Sequence, residues 1–154
     1  MTPAESVKDS WSAIFRRKGA NGTHTRLFDS LEPPQQDLLL KALGTLRKTE
    51  LPVIGSAHRL DNWLVLTTER LIWCIEGNRK ELDVYDIGAV KPDETESMRD
   101  KQNMKRLEVE TVSHKRYLSN ARYLIELDAG EPLFGVWHIL LNIGRRNHKK
   151  PAPQ

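Results

Sequence analysis

Apolar and polar positions alternate most clearly between Asn62 and Ile75. Trp63, Val65 and Thr67 fall on one face, Thr68-Glu69-Arg70 turns the chain, and Leu71, Trp73 and Ile75 then alternate with Ile72 and Cys74. A pleated sheet buries aromatic and β-branched residues at this spacing. The same period predicts a strand over 53–58 and another over 79–84, entered through a hairpin turn at Gly77-Asn78, with 85–90 extended beyond it. Leu107, Val109 and Thr111 alternate with Glu108 and Glu110, and Tyr123, Ile125 and Leu127 make the inner face of a partner strand.

Helical spacing brackets these strands. Thr2-Pro3-Ala4-Glu5 sets an N-cap hydroxyl, a proline at the first helical position and a carboxylate at N3. Val7, Trp11, Ile14 and Phe15 follow as one stripe, Arg16-Arg17-Lys18 complement the helix dipole, and Gly19 stops the helix. Residues 19–32 read as a loop with a short turn near Leu27-Phe28. A second helix is expected between Gln35 and Lys48, where Leu39, Ala42, Leu43 and Leu46 line one face; Gly44 weakens it by ~1 kcal/mol. At the other end Asp128 or Gly130 caps a helix over 131–145 with Leu133, Val136, Trp137, Leu140 and Leu141 inward. Residues 91–104 and 113–121 read as a charged loop and a basic connection, and 148–154 as a flexible tail.

The 154 residues suit one globular body able to bury roughly 70% of its unfolded surface. Hydrophobic residues at 38% and charged residues at 29% exclude a mainly disordered chain. No apolar run approaches the ~20 residues of a spanning helix. Residues 1–18 lack the apolar centre of a secretory leader and are expected in the mature chain. The lone Cys74 points to a reducing, cytoplasmic setting. The net charge of +3 is unevenly spread: residues 51–100 carry ten acidic against six basic residues, residues 101–154 five against ten. One acidic and one basic rim are expected, and no nucleic-acid partner, which would call for a denser basic patch.

The run Leu64-Val65-Leu66-Thr67-Thr68-Glu69-Arg70-Leu71-Ile72-Trp73 resembles the corner of bacterial pleckstrin-homology-like and GRAM-like domains. Leu82-Asp83-Val84-Tyr85-Asp86-Ile87 matches the short strand after their hairpin, and 106–112, 122–128 and 131–145 match their last strand pair and closing helix. The resemblance covers about 52–146. It implies an α+β fold, a PH-like curled antiparallel sheet or barrel capped by a C-terminal helix, here preceded by two N-terminal helices. The chain then divides into a helical extension (1–50) packed on the main domain, a PH-like domain (51–147) and the tail. Some members bind inositol phosphates through a basic loop between their first two strands. The matching His58-Arg59-Leu60-Asp61-Asn62 carries one arginine and no cluster.

Candidate chemistry is sparse. His24, His58, His114, His138 and His148 stand at no metal-ligand spacing, so surface or capping roles and no metal are expected. No nucleophile elbow, phosphate-cradling glycine loop or Cys-x-x-Cys occurs, and no enzyme and no cofactor are expected. The four tryptophans fit core positions on their helix and strand faces. The expected role is a protein-binding module of the bacterial cytoplasm with one protein partner. Its most concrete form is an immunity protein that neutralises a cognate toxin through the acidic stretch holding Glu69, Glu76, Asp93, Glu94 and Glu96. A pI of about 9.1 counts against a nuclease toxin, whose inhibitors are usually acidic. The alternative is a peripheral membrane adaptor whose Arg16, Arg17, Lys18, Lys115 and Arg116 meet anionic lipid at ~1 kcal/mol each. A small-molecule or peptide sensor with a groove between the last helix and the sheet is a third reading.

Overall fold

The computed structural model describes residues 1–93, 103–112 and 121–149. In chain order these form α1 (Pro3–Lys18), β1 (Thr25–Leu27), α2 (Pro33–Leu43), β2 (Pro52–Arg59), β3 (Asn62–Thr67), β4 (Arg70–Ile75), β5 (Asn78–Asp83), β6 (Ile87–Pro92), β7 (Arg106–Thr111), β8 (Arg122–Glu126) and α3 (Glu131–Lys149). Short 3-10 turns lie at Phe28–Ser30 and Val84–Asp86. The expected α+β class holds: two antiparallel sheets, ordered β1-β2-β3-β4-β5 and β6-β7-β8, precede a C-terminal helix. The sheets do not close into a barrel. The turn at Val84–Asp86 carries the chain between them and interrupts the ladder after β5.

Local chemistry sets the boundaries. The Thr2 hydroxyl accepts the Glu5 N–H at 3.1 Å and opens α1, and the Gly19 N–H reaches the Phe15 carbonyl at its end. α2 begins at Pro33 behind a reciprocal cap between Glu32 and Gln35. It stops at Gly44, short of the expected Lys48, because Gly44 takes φ 83°, a left-handed conformation open to glycine. Residues 25–27, expected in a loop, form edge strand β1 with Thr25 opposite Ser56 and Leu27 opposite Ile54. Three residues are too few to show a period; the ladder and a 2.8 Å Thr25–Ser56 hydroxyl bond hold them. α3 continues through His148, part of the expected tail. Buried Asn147 anchors that turn by donating its side-chain amide to the Val84 and Ile87 carbonyls, each at 2.7 Å.

The central strands are buried on both faces. Leu64 pairs with Trp73 and Leu66 with Leu71 on one face; Trp63 pairs with Cys74 and Val65 with Ile72 on the other. The first face joins a core with Trp11, Phe15, Leu107, Ile125, Leu133 and Leu140, so α1, α3 and the second sheet cover it. The second face packs against Phe28, Leu31, Leu39 and Leu43 from the 3-10 turn and α2. Gly55 in β2 lets α2 come close: a Cβ there would stand 2.6 Å from Leu39 Cδ1 and 2.7 Å from Leu31 Cδ1. Segment 1–50 thus supplies an edge strand, one wall of the main core and the apolar cover of the far sheet face, where Arg79 of β5 also lies over Trp63.

A buried ion pair fastens that segment to the sheet. Glu50 has no exposed side-chain surface and receives Arg70 Nε and Nη2, each at 2.7 Å. Thr67 Oγ1 donates to the same carboxylate at 2.5 Å and accepts the Glu69 and Arg70 N–H groups, which shapes the β3–β4 corner. Leu51 and Thr68 exchange two further bonds beside it. Burial by itself would raise the Glu50 pKa. The hydrogen bonds from Arg70, Thr67 and the Arg47 N–H outweigh it and bring the pKa down from 4.5 to about 2. A carboxyl whose folded pKa is depressed stabilises fully above its unfolded value, and that stabilisation fades as pH falls from 4.5 through about 2. Arg70→Met, which strands the buried carboxylate, is expected to cost about 3–5 kcal/mol at neutral pH. Urea unfolding at a series of pH values should show the gap to wild type shrinking as acid neutralises Glu50; a pH-independent gap contradicts this assignment.

Candidate functional site

Of the acidic residues picked out by the sequence, the structure describes Glu69, Glu76 and Asp93. Glu69, at the β3–β4 corner, accepts from Thr49 Oγ1 at 2.9 Å and pairs with Arg47 at 3.6 Å. Glu76 sits at the tip of the β4–β5 hairpin. Asp93 is buried, 6% exposed, with Arg106 Nε 3.7 Å from its carboxylate. Glu94 and Glu96 lie outside the described residues. Of the basic residues, Arg16, Arg17 and Lys18 are exposed on the last turn of α1; Lys115 and Arg116 lie outside the described residues. Lys18 and Arg145 both bear on His138, whose pKa is lowered first by burial and then by these two cations. The end of α1 lies against the first turns of α3: a Cβ on Gly19 would stand 2.5 Å from the Glu131 carbonyl oxygen and 2.6 Å from Gly135 Cα.

A groove of about 570 Å³ runs between the start of α1, the segment before β2 and the β3–β4 corner. Its walls include Val7, Leu51 and Thr68, with Glu5 and Glu69 as its carboxylates and Lys48 as its cation. Tyr85 stands at this groove 64% exposed, one of the few large hydrophobic side chains so displayed. Sequence reasoning placed Tyr85 in a strand and missed it. The 3-10 turn that rotates it outward leaves no trace in a period-two pattern, although its neighbour Val84 is buried.

The structure also assembles three groups that sequence spacing kept apart. His24 precedes β1, His58 lies near the end of β2, and Asp128 follows β8. One ring nitrogen of each histidine and one Asp128 carboxylate oxygen lie within 4.8 Å of one another, all three residues half-buried. The imidazoles stand 4.1 Å apart between ring centres. Asp128 Oδ2 accepts the His24 and Thr25 N–H groups at 2.6 and 2.7 Å, and the Asp128 N–H donates to Thr25 Oγ1 at 3.0 Å. Its Oδ1 faces His58 Nε2 at 3.8 Å, too far for a hydrogen bond. Burial, then the neighbouring His24, lowers the His58 pKa, against the pull of Asp128 and Glu126. No local signal reveals this cluster, because its members come from three distant segments, brought together by the β1–β2 ladder and by the Asp128 hydrogen bonds to His24 and Thr25.

No protein-family model matches the chain, and no curated protein is significantly similar to it. The fold and these surfaces therefore carry the functional argument by themselves.

The hairpin tip adds a local test. Glu76 (φ 52°) and Gly77 (φ 79°) are both left-handed, the signature of a type I′ turn, one residue earlier than the expected Gly77-Asn78. A glutamate in that conformation is strained, whereas asparagine adopts it readily. Glu76→Asn is expected to raise stability by about 0.5–1 kcal/mol, read as a higher urea midpoint at constant slope.

Proposed function

We propose that this chain is a non-enzymatic protein-binding module of pleckstrin-homology-like build, acting in the bacterial cytoplasm. The build is supported by the order of elements from β2 onward: four antiparallel strands, then three, then the helix α3. The observation that carries the functional reading is the groove beside Tyr85. It combines an exposed aromatic, apolar walls, two carboxylates and the Lys48 cation, the composition of an anchor site for a protein partner. Tyrosine and arginine are enriched at interface hot spots, and Glu5 and Glu69 offer carboxylates to an incoming arginine or lysine, Glu69 sharing its charge with Arg47. The most concrete form of this reading is an immunity protein that silences a cognate toxin by covering its active site. Among the described residues, no helix is long and apolar enough to cross a membrane.

The exposed Arg16, Arg17 and Lys18 on the last turn of α1 support a second reading, a peripheral adaptor on anionic lipid. The two separate in one set of measurements. Partner captured from a lysate of the source cells, then purified, should bind wild type and lose at least about 30-fold in affinity to the double variant Tyr85→Ala, Glu69→Gln. The triple variant Arg16→Glu, Arg17→Glu, Lys18→Glu should bind as wild type does. The reverse ranking, together with pelleting on phosphatidylserine vesicles that vanishes in high salt, moves the function to the lipid surface.

A further inference from the structure

The cluster at the junction of β1, β2 and the turn into α3 goes beyond either reading. We propose that His24, His58 and Asp128 form a binding site for one divalent transition-metal cation of the zinc type.

Three features of the arrangement point to a cation. The donor set is two imidazoles and one carboxylate, the chemistry zinc takes, with a fourth position left to water or an outside donor. The donors converge without satisfying one another: His58 Nε2 and Asp128 Oδ1 remain 3.8 Å apart. Ligands of a tetrahedral zinc ion with bonds near 2.0–2.1 Å stand about 3.3 Å apart, so closing that gap takes a side-chain shift of about half an ångström.

The surrounding bonds already orient the donors. His24 Nδ1 lies 3.2 Å from the Ala57 carbonyl oxygen, which can only accept, so that nitrogen carries the proton and Nε2 keeps its lone pair. A metal-bound histidine is commonly held in this way, through its second nitrogen on a backbone carbonyl. Asp128 is fixed by two N–H groups on Oδ2, which leaves Oδ1 for the ion. Gly22 packs directly on this carboxylate: a Cβ there would stand 2.6 Å from Oδ2 and from Pro132 Cγ. An open recess of about 590 Å³ lined by Asn21, Thr23, Glu131 and Pro132 reaches His24 and Asp128 and provides the approach from solvent. Once bound, the ion would add a further link among three segments already joined by hydrogen bonds and core packing.

The test uses the full chain without a histidine tag, stripped with a chelator and titrated with cobalt(II) as the spectroscopic stand-in. The expected result is one cobalt per chain with the intense visible absorption of a four-coordinate site, displaced by zinc. Zinc at about 100 times its Kd should raise Tm by about 5–10 °C. His24→Ala and His58→Ala should each weaken binding at least about tenfold. Asp128→Asn, which keeps an oxygen for both N–H groups and so preserves the local fold, should do the same, while His148→Ala leaves binding unchanged. Absence of stoichiometric cobalt binding by wild type overturns the proposal. So does weak six-coordinate binding that survives all three ligand substitutions, which would mark an adventitious ion only.

Discussion

The buried contact between Glu50 and Arg70 is the point on which the architecture turns. It places a carboxylate with no exposed surface against a nearly buried guanidinium, and Thr67 and the Arg47 N–H complete the carboxylate's shell. Such a pair is costly to assemble and costlier to break, so its value lies in specifying one arrangement of the chain. Here it specifies that the segment before β2 lies against the β3–β4 corner. With that corner pinned, α2 reaches the far face of the sheet and α1 reaches the near core. The β3–β4 corner is therefore also the socket for a residue from the segment before β2.

Burial of β3 and β4 on both faces makes the same demand in apolar terms. A sheet of this kind with one solvated face alternates apolar and polar residues, but Trp63-Leu64-Val65-Leu66 and Leu71-Ile72-Trp73-Cys74 are apolar throughout. Two covering layers must exist. One comes from α1, α3 and the second sheet, the other from α2 and the 3-10 turn at Phe28–Ser30. Segment 1–50 belongs to the folding unit for that reason, and the groove at Tyr85 exists only because both halves meet there.

Much of this was legible in the residues. The Thr2-Pro3-Ala4-Glu5 cap, the α1 and α3 stripes and the strands from β2 to β4 follow from period and capping chemistry. The unbroken apolar runs also carried the sign of two-sided burial. Where reasoning fell short, the cause was distance along the chain. β1 is three residues held by a partner about thirty positions away, α3 is prolonged by Asn147 reaching back to Val84 and Ile87, and Glu50 looks like any surface glutamate until Arg70 meets it. The histidine–aspartate cluster joins positions 24, 58 and 128 and is visible only once β1 has paired with β2. Within the acidic stretch, Asp93 is buried beside Arg106 and Glu76 shapes a turn, neither of which shows in the sequence.

Native-state hydrogen exchange across α2, β2, β3 and β4 tests most directly whether residues 1–50 and the sheet are one cooperative unit. The account predicts that buried amides of α2, such as those around Leu39 and Leu43, exchange only through the same opening as those of β3 and β4, with the same free energy and denaturant slope. Opening of α2 and β1 at a far lower free energy and a small slope, while β3 and β4 stay protected, would contradict it.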